Sequence, residues 1–146
     1  MSTAPLYSPP PSLGIPTRIA LGTVGVVLVG LWTVALWLSP DPQGYGTHRQ
    51  LGLPPCSIVQ WTGQRCPACG MTTSWSLLIR GRIWSATEAN AGGMLLGLAA
   101  LAAAPWTLLS AWRGRWWGCV PDERILALLL GVILSVAMID WGLRRL

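Results

Sequence analysis

The sequence predicts an all-α integral membrane protein with three transmembrane helices and a short interfacial or re-entrant helix after a cysteine-bearing loop. Three observations carry that expectation. Charged residues make up only 10% of the chain, against roughly 25% in soluble domains. The shortfall is concentrated, since no charge occurs from Ile19 to Ser39, from Ala91 to Trp112 or from Ile125 to Ile139. A membrane helix needs about 20 mostly apolar residues. Third, Cys56, Cys66 and Cys69 all fall in one stretch rich in Gly and Pro, between the first run and the second.

The elements follow in order. Residues 1–17 hold five prolines and read as a flexible Pro-rich tail, because proline lacks the amide that a helix interior uses. Residues 18–146 form a single membrane domain. Its spans are expected at about 19–39, 91–112 and 125–143, its cysteine loop at 40–70, and its interfacial helices at about 71–80 and 85–90. The first apolar run is longer than the 7–15 residues of a signal-peptide core. It leads into Pro40–Asp41–Pro42, not a small-residue cleavage site, and reads as an uncleaved anchor.

The loop over 40–70 is punctuated by turn formers, and a disulfide or a bound metal would explain how it could be ordered. Met71, Trp75 and Leu78 share one helical face in a segment too short to cross a bilayer. Ser85–Ala86–Thr87–Glu88 matches a capping box and places a helix start near Ser85, with a run through Asn90 into the second span left open. Gly93 and Gly97 form a small-xxx-small pair that lets another helix approach closely. Trp116 and Trp117 beside Arg113 and Arg115 mark a membrane interface. Asp140, one turn before Arg144, reads as a paired interfacial carboxylate.

Charge and composition exclude several functions. The net charge of +5 comes from ten scattered arginines and no lysine. That suits anionic headgroups, and no nucleic-acid partner is expected. His48 is the only histidine, so no histidine-rich centre exists. With three spans, six arginines fall on the cysteine side and four on the other. That margin is too small to fix the orientation.

The chemistry concentrates in Cys56-x9-Cys66-Pro67-Ala68-Cys69-Gly70. A Cys-x2-Cys pair suits either one metal ion or a small redox disulfide. Zinc in a structural site takes four ligands. Cys56, Cys66 and Cys69 supply three. His48 is the better fourth candidate, because Cys119 follows the second span and lies across the membrane. A disulfide among the three cysteines is the alternative in an oxidising compartment.

The run Cys66-Pro67-Ala68-Cys69-Gly70-Met71-Thr72-Thr73-Ser74, with Pro55-Cys56 and Thr62-Gly63 upstream and Arg80-Gly81 and Asn90 downstream, resembles a family of bacterial membrane proteins called domain of unknown function 2752. The resemblance covers about residues 48–100. Many members have Arg at the position of Thr73 and Pro at that of Ala91. The family implies a membrane fold in the bacterial inner (cytoplasmic) membrane and draws attention to the loop, but it implies no reaction.

From these residues the expected function is a small multi-pass module without enzymatic activity. It would contact lipid and bind a protein partner or a second copy of itself, and its cysteine loop would be structurally important. Arg80, Arg82, Glu88 and Asn90 are the candidate recognition residues. The alternatives are a thiol-redox component using Cys66 and Cys69, or a metal-binding membrane protein using Cys56, Cys66 and Cys69.

Overall fold

The computed structural model describes residues 12–144. Most of the proline-rich tail and the last two residues lie outside that range. Three helices are long and apolar enough to cross a membrane: α1 (Ile15–Trp37), α5 (Ala91–Arg113) and α6 (Glu123–Leu143). At 1.5 Å per residue each is roughly 30–35 Å long. The protein is therefore a small multi-pass helical membrane protein, and these helices contact lipid.

Between α1 and α5 lie four short pieces. They are a 3₁₀ turn over Thr47–Leu51, α2 (Ser57–Thr62), α3 (Met71–Leu78) and α4 (Ile83–Ala89). The stretch 40–70 thus holds two short helical pieces that its turn-rich composition concealed.

The spans meet through small residues and backbone. α1 and α5 run antiparallel. A Cβ added at Gly25 would lie 2.8 Å from Thr107 Oγ1 and 2.6 Å from Leu108 Cδ2, so only glycine admits this approach. At one end, Leu13 donates its amide to Gly114 O at 2.8 Å, and Arg18 Nε donates to Ala111 O at 2.9 Å. That arginine covers carbonyls at the C-terminal end of α5, where a cation is favoured. α6 packs on α5, and Gly92 stands directly against Ala137.

At the other end α3 is enclosed by α1, α4 and α5. Its buried residues include Thr73, Ser74 and Ser76. Those hydroxyls face the protein and are satisfied there. Ser76 Oγ donates to Leu38 O at 2.7 Å, Ser74 Oγ donates to Asn90 O at 3.2 Å, and the Thr73 and Thr47 hydroxyls meet at 2.8 Å. Trp75 stacks on Trp32 with ring centroids 4.9 Å apart, and its Nε1 donates to Gly93 O at 2.9 Å. The close contact expected at Gly93 and Gly97 is made with α3, not with another span. A Cβ at Gly97 would lie 2.8 Å from Leu78 Cδ2, and one at Gly93 would lie 3.2 Å from Met71 Cα.

The helix expected to start near Ser85 begins instead at Ile83. The chain reverses at Gly81, where φ is +74°, and helix resumes as soon as that turn closes. α4 and α5 are separate helices joined at Asn90. Asn90 is extended, with φ −168° and ψ 108°, and it ends α4 and caps α5.

Candidate metal centre

Each cysteine is held by a local device. Cys56 stands at the N-terminal cap of α2, after Pro54 and Pro55. Cys66 and Cys69 span a tight turn, closed by the Cys69 amide donating to Cys66 O at 3.0 Å. The Cys66 amide also points at Cys69 Sγ, 3.2 Å away. The next residue, Gly70, has φ +90°, a conformation that L side chains rarely adopt. A Cβ there would collide with the carbonyl oxygen of Ala89 and come within 2.7 Å of that of Gly44. The turn is therefore pressed against two backbone segments, and Gly70 lets it seat.

Asn90 fastens the turn. It is 2% exposed. Its Nδ2 donates to Pro67 O at 2.9 Å and to Cys69 O at 3.1 Å. Its Oδ1 accepts from the Gly93 amide at 2.6 Å. One side chain thus caps α5 and grips the Cys-Pro-Ala-Cys turn.

The result is a cluster of three sulfurs. The Sγ atoms of Cys56, Cys66 and Cys69 all lie within 4.8 Å of one another. Cys66 Sγ is 3.0 Å from Cys69 Sγ and 3.6 Å from Cys56 Sγ. Sulfurs around a tetrahedral zinc with bonds of about 2.3 Å stand about 3.8 Å apart. The Cys56–Cys66 pair is close to that spacing and the Cys66–Cys69 pair is shorter, and the gathered set is consistent with coordination of a metal such as zinc. The thiols border a cavity of about 180 Å³, also lined by Tyr45, His48, Arg49 and Thr72.

The thiols differ in their surroundings. Cys66 is buried while Cys56 and Cys69 are half-buried. Burial pushes the Cys66 thiol up to about 12, helped by its hydrogen bonds to Cys69 and then Cys56. Cys56 moves down, because the backbone amides of Val59 and Ile58 at the start of α2 favour its thiolate. Backbone donors act on Cys56 and desolvation acts on Cys66.

The surrounding chain is tied to two spans. Trp141 of α6 donates its Nε1 to Arg65 O at 2.7 Å. The Arg65 guanidinium lies 4.1 Å over the Tyr45 ring. Asp140 pairs with Arg144, and its Oδ2 accepts from the Ala91 amide at 3.2 Å. Arg144 also donates to Ala89 O at 2.6 Å. The expected ion pair thus also joins α6 to the junction of α4 and α5.

Residues 56–104 match the family model described as "Protein of unknown function (DUF2752)". The matched segment takes in the three clustered cysteines, Gly70, α3, α4 and Asn90, close to the stretch on which the sequence resembles that family. No curated protein and no solved structure matches the chain.

The remaining sequence candidates fall in different places. His48 lines the cavity with the three thiols. Arg80 reaches back to the end of α1. Its guanidinium donates to Ala35 O, Leu36 O and Leu38 O at 3.2, 2.6 and 2.9 Å, and to Ser76 O at 2.6 Å. Arg82 and Glu88 are exposed and border a polar cleft with Asp41 and Arg65. Asn90 is internal, as described above. Cys119 is exposed, and it follows the far end of α5. The hold of Asn90 on the turn was not anticipated. Its sequence signal was an N-capping residue immediately before Ala91-Gly92-Gly93.

Proposed function

We propose that this protein is a membrane-held metal-binding protein, in which Cys56, Cys66 and Cys69 take one soft cation, with zinc the first choice. The observation that carries the proposal is the convergence of all three sulfurs within 4.8 Å. A disulfide uses two cysteines and gives no reason for a third to be gathered beside them. Thiolate donors favour zinc, copper(I) and iron–sulfur chemistry over magnesium or calcium. His48, the chain's only imidazole, lines the same cavity but is not among the three gathered ligand atoms, and we keep it as the candidate for a fourth position. Binding displaces protons, above all from Cys66, whose burial keeps the free thiol protonated at neutral pH.

Two other readings rank below this one. A redox pair at Cys66 and Cys69 draws support from their 3.0 Å separation. It leaves Cys56, whose sulfur is 3.6 Å from that of Cys66, without a role. A partner-binding module draws support from exposed Arg82 and Glu88, but no comparable gathering of groups marks a docking site there. The family resemblance supports placement in the bacterial cytoplasmic membrane.

Elemental analysis of detergent-purified protein, prepared reduced and without chelator, tests the proposal. The expected result is about one metal ion per chain, lost in Cys66→Ser. Cobalt substitution should give thiolate charge-transfer bands that weaken in each single Cys→Ser variant. Metal-free protein that also fails to take up zinc or copper(I) from a buffered solution overturns it.

A further inference from the structure

The segment 50–65, which carries Cys56, is pinned at both ends to the mouths of spans. The Gln50 side chain pairs with the backbone of Ser39, just past the end of α1. It accepts from the Ser39 amide at 3.0 Å and donates to the Ser39 carbonyl at 2.6 Å. At the other end, Arg65 O accepts from Trp141, in the last turn of α6, at 2.7 Å. The intervening chain therefore lies at the level where two spans leave the bilayer.

That chain presents apolar side chains outward. Leu51, Leu53 and Ile58 are 43%, 52% and 43% exposed, and Trp61 is 84% exposed. Ile58 and Trp61 stand three apart, on one side of α2. Trp37, the last residue of α1, is 75% exposed at the same end of the molecule. Large apolar side chains held in bulk water would be costly. Charge points to what covers them. No acidic residue occurs between Asp41 and Glu88, while Arg49, Arg65, Arg80 and Arg82 do. Basic residues beside tryptophan at the end of a span match an anionic headgroup layer.

We infer that Leu51, Leu53 and the Ile58–Trp61 edge of α2 lie in the headgroup layer of an anionic bilayer, the same bilayer that α1 and α6 cross. The cysteine cavity then sits at the membrane surface and not in bulk water. The proposal rests on the pinning and the exposed edge. It does not depend on what the thiols bind.

Tryptophan fluorescence in nanodiscs tests it. The full chain and Trp61→Phe are each placed in phosphatidylcholine discs and in discs enriched in phosphatidylglycerol. Their difference spectrum isolates Trp61. At 84% exposure this side chain adds little to the core, so the variant should fold. The expected difference spectrum is blue-shifted relative to detergent. It should be quenched by lipids brominated near the headgroup end of the acyl chain, more strongly in the anionic discs, and protected from aqueous acrylamide. A red-shifted, acrylamide-quenched signal overturns the inference. Protection from both quenchers also overturns it, because it assigns the edge to protein. Brominated-lipid quenching that is indifferent to anionic lipid overturns the choice of an anionic surface.

Discussion

Replacing Asn90 with alanine tests whether one side chain holds the cysteine turn in place. The substitution removes three hydrogen bonds, to Gly93 N, Pro67 O and Cys69 O, at a residue that is 2% exposed. Loss of the helix cap costs about 1 kcal/mol. Each carbonyl left without its donor in this part-buried setting costs about 1 kcal/mol more. The total is about 3 kcal/mol, of which about 2 kcal/mol belongs to the turn and the remainder to α5. If the turn must be rebuilt on binding, that share appears as about thirtyfold weaker metal affinity, at 1.4 kcal/mol per tenfold. The assay is competition for zinc against a chromogenic chelator in detergent, run beside a thermal unfolding curve. Asn90→Asp separates the two roles. It keeps the acceptor for Gly93 and loses both donors, so the affinity falls while α5 keeps its cap. Wild-type zinc affinity in a folded Asn90→Ala protein would refute the role of Asn90 as the fastener of the turn.

Other outcomes follow from the same geometry. Gly70→Ala should prevent the turn from seating, since its φ is +90° and its Cβ position is occupied by the carbonyls of Ala89 and Gly44. Gly63→Ala, with φ +68° and nothing within 4 Å, should cost only about 1 kcal/mol. Comparing the two by circular dichroism and gel filtration checks the difference. Asp140→Ala should loosen α6 from the junction of α4 and α5, because the Ala91 amide loses its acceptor and Arg144 keeps only Ala89 O. Faster proteolysis in nanodiscs of the segment 50–65, which Trp141 of the same helix end holds, would report it, and an unchanged cleavage rate would count against the clamp. Metal affinity should weaken as pH falls, by at least about tenfold per unit near neutrality, because protons compete for the sulfurs. The sign is fixed by Cys66, which is raised to about 12 and so surrenders a proton on binding. A flat chelator-competition profile between pH 6 and 8 would contradict thiolate ligation. In metal-free protein, alkylation followed by mass mapping should mark Cys56 well before Cys66, since the first thiol is shifted down and the second up.

The spans were legible because the bilayer reads a coarse property, the distance between charges, and Ile19–Ser39, Ala91–Trp112 and Ile125–Ile139 display it directly. The gathering of Cys66 with Cys69 was legible for a local reason, since two residues between cysteines let both sulfurs face one point. What escaped depends on contacts distant in sequence. The Ser85–Glu88 match was a local signal overruled by the reversal at Gly81. Asn90 read as a recognition residue, because nothing nearby in sequence shows that its amide reaches back to Pro67 and Cys69. Thr73, Ser74 and Ser76 give α3 polar side chains whose partners no local pattern names. They are buried, because the end of α1, the start of α5 and the Thr47 turn offer partners on every side. The glycine pair at 93 and 97 signalled close approach but not the identity of the approaching helix.

The reach of Asn90 also sets an order of events during synthesis. The last of the clustered cysteines precedes Asn90 by 21 positions, and α3 and α4 lie between them. When Cys69 emerges from the ribosome, Asn90, 21 positions behind it, is still inside the exit tunnel and cannot yet hold its carbonyl. A nascent chain arrested before Asn90 therefore carries all three sulfurs without the grip that fixes two of them. Completion of the centre awaits delivery of the next span to the insertion machinery, which couples assembly of this site to the threading of the chain into the bilayer.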